Sequence, residues 1–362
     1  MKTFALSAAL GAIALCEAAY NVLDVDTRSL DDIYAAARAE HGTLQVFWGG
    51  DAGSQGDKVR QSWAQRFPDI KLNLTVDLSK YHDNRIDRAH LQGLHVADVA
   101  VLQTLQDFRR WKSEGKLVNY KPATFDDILP GEKDPDGAWY TEAINGFGTF
   151  IYDTSKLAAS DVPTSYASLT DKKYKGKLIL TYPNDDDAVA YLFSIIVSRY
   201  GFQWLYDLGA NDVQWVRGTG SPGLLLGANH NNSWARALSF TSYSPGYSFL
   251  ASKEPQAPEQ RMSWAQTGAI IAGTPMPESS KLFLSYLTST EWQNATAAAG
   301  RPCVLTSLNE KYGVTLDSNI TQVSGFRVWE QDRSTVEWWK NLFEEVLGTA
   351  QGPGPLTVYP NP

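Results

Sequence analysis

Three consecutive aspartates, Asp185, Asp186 and Asp187, stand immediately before an apolar run that begins at Ala188. Carboxylates at a helix start are favoured by the helix dipole and can cap its free N–H groups. They fill with protein charge a place where an anion would otherwise sit, which turns the expected partner toward a cation. Tyr243 and Tyr247 add aromatic faces of the kind that attract cationic groups. His82, His90 and His95, with Asp83 and Asp87, invite a metal reading, and Asp83, Asp87 and His90 share a helical face. Arg85 and Arg88 interleave with them, however, and neither a His-Glu-x-x-His motif nor a close His pair occurs. A charged, solvated helix is the favoured reading, and no metal site is assigned. Gly218-x-Gly220-x-x-Gly223 has dinucleotide spacing, but Pro222 lies inside it and no acid follows about twenty residues on, so it reads as a loop. A Gly-x-Ser-x-Gly elbow and a Walker loop are both absent. Cys303, with no histidine near it in sequence, reads as a buried small apolar residue. No catalytic residue and no cofactor is assigned.

These groups need a large frame. The 362 residues suit two lobes rather than one small core. Hydrophobic residues at 43% and charged residues at 20% are those of a globular protein. The net charge of −8 argues against a nucleic-acid partner. With 12 Trp and 17 Tyr, large aromatic cores and a ring-lined cleft are both open readings. Residues 1–18 read as a secretory signal: Lys2 is the positive start, Phe4 to Leu15 the apolar span, and Cys16-Glu17-Ala18 the small-residue site. Leu15 stands where a lipoprotein site wants Gly or Ala, so lipidation at Cys16 is rejected. Cleavage leaves Cys303 alone, so core burial rather than a disulfide must hold the fold. Sequons at Asn73, Asn231, Asn294 and Asn319 are compatible with N-glycosylation in a eukaryotic host. The tail QGPGPLTVYPNP is polar and Pro-rich, and neither a membrane anchor nor a GPI signal is expected.

Hydrophobic spacing places the elements. Helices are expected at Leu30 to Glu40, Asp57 to Phe67, Asp83 to Gly93, Leu105 to Glu114, Ala188 to Tyr200 and Gln331 to Leu347. Strands are expected at Thr43 to Trp48, Lys71 to Val76, Ala97 to Leu102, Phe147 to Tyr152, Lys177 to Tyr182, Val213 to Val216 and Ala237 to Thr241. From Gly268 to Ala272 an apolar strand leads to the turn Gly273-Thr274-Pro275. Pro277 then opens a helix whose Leu282, Phe283, Tyr286 and Leu287 bury one face. Thr290 and Gln293 form a capping box for a second short helix. Strand–helix alternation predicts mainly parallel sheets flanked by helices.

Several segments fall in the order used by class II periplasmic solute-binding proteins. LQVFWGGDAGSQGDKVRQSWAQRFPDIKLNL resembles their first strand, cleft loop, helix and second strand. VADVAVLQTLQDFRRWKSEGKLVNYKP, GFGTFIYDTSKL and KGKLILTYPNDDDAVAYLFSIIVSRYG resemble later units in sequence. ALSFTSYSPGYSFL lies where ferric-iron binders carry adjacent tyrosines and thiamine binders a Ser-Pro-x-Tyr motif. Ser244-Pro245-Gly246-Tyr247 matches the second, and no Tyr-Tyr pair is present for the first.

The resemblance covers most of residues 43 to 300. It implies a two-lobed α/β fold, with residues 19–143 plus 265–362 as one lobe and residues 144–264 inserted as the other. A small ligand would be captured between the lobes and released without chemistry. Asp51, Ser54, Gln55, Gln103 and Thr104 are the expected contacts from the first lobe. Asn184, Asp185, Ser242, Tyr243 and Tyr247 are those from the second. The ligand is ranked as a thiamine-like cationic heterocycle first and ferric iron second. The resemblance also implies secretion and a membrane ABC importer as partner, with extracellular scavenging as the alternative should the sequons be used. Rival readings are a secreted hydrolase with carboxylates in an aromatic cleft, and an interaction protein that has lost its ligand.

Overall fold

The computed structural model describes residues 23–316 and 318–362. The expected signal segment lies outside the described residues. Among the described residues eleven strands form three sheets. In chain order they are β1 (Thr43–Gly49), β2 (Lys71–Asp77), β3 (Val99–Leu102), β4 (Leu117–Val118), β5 (Tyr140–Phe147), β6 (Phe150–Asp153), β7 (Ile179–Thr181), β8 (Gln214–Val216), β9 (Leu238–Ser239), β10 (Leu250–Lys253) and β11 (Met262–Ile271). The first sheet has the order β2-β1-β3-β11-β4, with β5 also paired to β11. In it β1 runs parallel to β2 and β3, whereas β11 is antiparallel to β3, β4 and β5. The second lobe holds an antiparallel β10-β6-β9 sheet and a parallel β7-β8 pair. The sheets are therefore mixed rather than mainly parallel. The reason is topological: β11 returns from the second lobe and must run against the strands it rejoins.

Alternation along the strands covers both faces of the first sheet. Val99 and Val101 join a core with Val46, Trp63, Phe67, Phe283 and Tyr286 on one side. Ala100 and Leu102 join Phe108 and Trp111 on the other. The second lobe is built on Phe150, Tyr166, Phe193 and Phe240. Phe326 and Phe343, from the C-terminal helices Val323–Gln331 and Arg333–Leu347, belong to this same core. The helix Arg333–Leu347 packs on the helix Asp187–Tyr200, whereas Val323–Gln331 lies chiefly against β11 and the helix Leu105–Ser113. The spacing of Val336, Trp339, Phe343 and Val346 does make one apolar face, and it packs onto the helix Asp187–Tyr200.

Two local expectations change. The strand expected over Phe147 to Tyr152 is broken at Gly148, whose φ of +116° suits glycine, so β5 and β6 are separate. The helix Thr290–Ala298 is capped by Ser289, whose Oγ accepts the Trp292 N–H at 3.1 Å, and not by a Thr290–Gln293 box. Gln293 turns inward and donates to the Glu142 and Leu287 carbonyls. Among the described residues no helix is long and apolar enough to cross a membrane.

Candidate functional site

Between the lobes lies a cavity of about 790 Å³. The ends of β1, β2 and β3 supply its first-lobe wall, through Trp48, Asp51, Lys80, Gln103 and Thr104. Loops after β7, β8 and β9 supply Asp185, Thr219 and Tyr243 from the second. Strand ends are where an open α/β sheet leaves a crevice, which is why these loops converge.

The turn after β1 is braced from within. Gln55 Oε1 accepts the N–H groups of Asp51 and of Ala52, the latter at 2.9 Å. The bracing sends the Asp51 carboxylate across the gap, where Oδ2 accepts the Thr219 hydroxyl and the Gly220 N–H at 2.9 Å. Asp51 is thus a bolt between the lobes at the start of the helix Ser221–Ala228. Burial raises its pKa, against the lowering effect of those hydrogen bonds.

The three aspartates have three different jobs. Asp185 receives Lys80 Nζ from the first lobe at 2.8 Å and Arg217 Nε from the second at 2.9 Å. Arg217 also donates to Tyr81 Oη at 3.0 Å, so the pair spans both lobes. Burial works to raise the Asp185 pKa, and Arg217 and Lys80 outweigh it, so the carboxyl stays below its usual range. Asp186 is the N-cap, accepting the Val189 N–H at 3.1 Å. Burial, then the nearby Asp51 charge, pushes it up to about 7. Asp187 binds Arg333 at 2.7 Å and Lys340 at 3.0 Å, tying the closing helix to the cavity.

Two further acids line the cavity. Asp83 is pushed up to about 8 by burial and then by the adjacent Asp107. Glu330 is raised well above the usual range by burial and then by Asp187. Asp51, Asp83, Asp186 and Glu330 all line the cavity, and none has an ion-pair partner among the described residues. Lys80, Arg261, Arg301, Arg333 and Lys340 line the same cavity, so six carboxyl groups meet five cations, and the raised pKa values of Asp83, Asp186 and Glu330 mark the buried carboxyl groups that make no ion pair.

Of the ten expected contacts, Asp51, Gln55, Gln103, Thr104, Asp185 and Tyr243 line the cavity. Ser54, Asn184, Ser242 and Tyr247 lie outside its lining. Ser54 is exposed on the far side of the first turn. Asn184 donates to the Gly348 carbonyl at 3.2 Å. Ser242 is 2% exposed and accepts the Gly223 N–H at 3.0 Å, an internal brace. Tyr247 stacks on Phe249 with ring centres 5.3 Å apart and packs over Gly227, where any Cβ would collide with the ring. Residues not foreseen include Trp48, Lys80, Asp83, Gln266, Glu330, Arg333 and Lys340. Lys80 lies just past a strand end and could have been found by that rule. Arg333 and Lys340, seven apart on one helix, share a face. Glu330 sits on a helix that the spacing did not suggest.

His82 is buried and stacked on Phe47, and among the described residues no group of three His, Cys, Asp or Glu is placed to hold a metal ion. The Gly218–Gly223 segment is a loop entering the helix Ser221–Ala228. Cys303 is buried, its thiol donating to the Leu305 carbonyl.

Residues 96–216 match the model of the bacterial extracellular solute-binding protein family. A search of curated protein sequences gives no significant match. Among solved structures the chain is similar to the substrate-binding protein of an ABC transporter from Agrobacterium tumefaciens, with TM-score 0.68 and 15% identity over 85% of this chain and 96% of that one. It is similar to iron-bound HitA from Pseudomonas aeruginosa, with TM-score 0.60 and 14% identity over 84% and 99%. It is also similar to a periplasmic thiamin-binding protein, with TM-score 0.60 and 17% identity over 84% and 96%. The fold of this chain is that of class II periplasmic solute-binding proteins.

Proposed function

We propose that this two-lobed chain captures a small, positively charged solute in its inter-lobe cavity and releases it unchanged. The observation that carries the reading is that three buried carboxyl groups on the cavity wall, Asp83, Asp186 and Glu330, make no ion pair and are not the acids that join the lobes. A cation entering there would give Asp83, Asp186 and Glu330 the opposite charge that burial denies them. Trp48, Trp264 and Tyr243 on the same walls offer ring faces to a flat or methylene-bearing cation.

A thiamine-like heterocycle suits this chemistry better than ferric iron. Hard Fe³⁺ needs several anionic oxygens on one point, and the described residues offer no such group. Closure would follow binding, because Asp51 meets Thr219 and Lys80 meets Asp185 only when the lobes are together. Secretion is part of the reading, with uptake through an ABC importer or scavenging outside the cell as the two destinations. Of the sequons, Asn231 and Asn319 are exposed and would accept a glycan, while the exposed Asn73 would first have to release Gln45, to which its Nδ2 donates at 2.6 Å. Asn294 is half-buried and takes the Tyr312 hydroxyl, which makes it the poorest acceptor.

Native mass spectrometry of the purified protein, before and after mild denaturation, tests the reading. A released cation of small mass supports it. A released anion, stoichiometric iron, or product accumulating on long incubation with a candidate ligand would overturn it.

A further inference from the structure

Glu330 lies on the cavity wall where the helix Val323–Gln331 packs against the helix Leu105–Ser113. It is 1% exposed. Its Oε2 accepts the Leu105 N–H at 3.0 Å, and its Oε1 has no partner. On either side of Leu105, Thr104 Oγ1 and Gln106 Oε1 are also buried without a partner, and both residues line the cavity. Buried polar atoms are nearly always satisfied, and an unmade bond costs more than an average bond contributes. Arg327, one helical turn before Glu330, leaves its Nη1 without a partner as well, so the cluster holds one unused donor against three unpartnered oxygens.

The charges nearby point the same way. Arg327 is held by Glu132 at 2.6 Å and donates to Thr267, while Arg333 and Lys340 converge on Asp187, with Glu337 beyond. Three cations thus face four carboxyl groups, namely Glu132, Asp187, Glu337 and Glu330, and Glu330 is the one left over.

We propose that Glu330, Gln106 and Thr104 form the subsite for a primary ammonium group of the solute, Glu330 being its specificity-determining residue. An ammonium brings three N–H donors, matching the three orphaned atoms in number. The proposal rests on the reading of the cavity as a cation site. Isothermal titration of wild type and Glu330→Gln with 1,4-diaminobutane, 1,4-butanediol, thiamine and citrate tests it. In Glu330→Gln the amide oxygen still serves the Leu105 N–H, while an NH₂ donor faces the solute. Diaminobutane should weaken at least tenfold, with the neutral diol unaffected and the empty variant melting no lower than wild type. Equal diaminobutane affinity in both proteins overturns the subsite. Thiamine bound equally by both, with no diaminobutane binding, overturns the subsite and leaves the cation reading standing. Failure of wild type to bind either cation, or binding of citrate alone, overturns both.

The C-terminal tail carries a second, independent inference. Pro355 rests against Gly218 of the second lobe, where a Cβ would fall 2.8 Å from its ring. Four residues on, the Tyr359 carbonyl accepts the Gly53 N–H at 3.0 Å on the first lobe. The Asn361 side chain then pairs with both backbone groups of Val76, accepting at 2.8 Å and donating at 2.9 Å, on the free edge of β2. Arg60 donates to the same amide, and a Cβ on Gly53 would meet the Pro360 carbonyl at 2.1 Å. Each lobe has a glycine where the tail passes.

We infer that residues 355–361 are a strap that links the lobes beside the cavity and resists their opening. Removal of residues 353–362 should enlarge the empty protein's radius of gyration in small-angle scattering. It should also speed its backbone hydrogen exchange at Gly220, where Asp51 bolts the lobes. Asn361→Ala, which spares the rest of the tail, should give part of both effects. Unchanged scattering and exchange in the two variants would overturn the strap.

Discussion

The line where the lobes touch and the wall behind it use the same residue types to opposite effect. Along the line of contact every acid has a partner from the other lobe: Asp51 has Thr219 and Gly220, and Asp185 has Lys80. On the wall, Asp83, Asp186 and Glu330 make no ion pair among the described residues, and burial holds all three toward the neutral form. Paired acids complete a contact between two pieces of protein. Unpaired buried acids wait for a charge that the protein does not supply, because burying a carboxylate without one costs several kcal/mol. Closure and ligand choice are thereby assigned to different carboxyl groups.

The largest break in that division should come from Asp51→Ala. It leaves Thr219 and the Gly220 N–H without their shared acceptor, and hydrogen bonds to a charged group contribute about 1.5–3 kcal/mol. Affinity for a bound cation such as thiamine or 1,4-diaminobutane should fall by roughly 10- to 100-fold, mostly as faster dissociation in stopped-flow traces. An unchanged dissociation rate would show that Asp51 does not hold the lobes.

The wall should respond to pH. Asp83 and Asp186 keep protons to about pH 8 and about pH 7 in the folded chain, against a usual value of 3.8. The folded state then binds more protons than the unfolded one over that interval. The stabilisation is present at low pH and lost as pH rises through 7 and 8. Melting of the empty protein should drop by roughly 3–6 °C between pH 5.5 and 8.5. Affinity for the cation should rise over the same range, since the deprotonated wall attracts it. Asp83→Asn and Asp186→Asn should flatten both trends, the second with little loss of helix capping because Asn also caps.

Lys80→Ala is expected to cost only a few-fold in affinity, with most of the difference gone at high salt. Lys80 is 37% exposed and Arg217 still holds Asp185. Tyr247→Ala should leave affinity alone and lower stability by about 0.5–1.5 kcal/mol, the worth of an aromatic stack. A clear loss of affinity in that variant would return Tyr247 to the cavity.

Much of this was readable residue by residue. Strands β1, β2 and β3 and the helices after them lie within a few residues of their expected bounds, because alternation and helical spacing are short-range signals. Asp186 as a helix cap was readable for the same reason. Strand β5 was not: Thr141, Glu142 and Asn145 interrupt its apolar pattern, and what holds it in the first sheet is its pairing with the distant β11. The capping box at Thr290 was misplaced by one residue, because Gln293 is drawn into the core by the carbonyls of Glu142 and Leu287.

On its own, the chain's order of residues determined the first strands with their helices, the two-lobed plan and the aspartates at the start of the helix Asp187–Tyr200. Only the tertiary structure decided which acids are spent on closure and which face the solute. Asp51 meets Thr219 across 168 residues, and Glu330 meets Leu105 across 225. No spacing rule reaches that far, because a carboxylate's partner is set by where the chain returns and not by its neighbours along it.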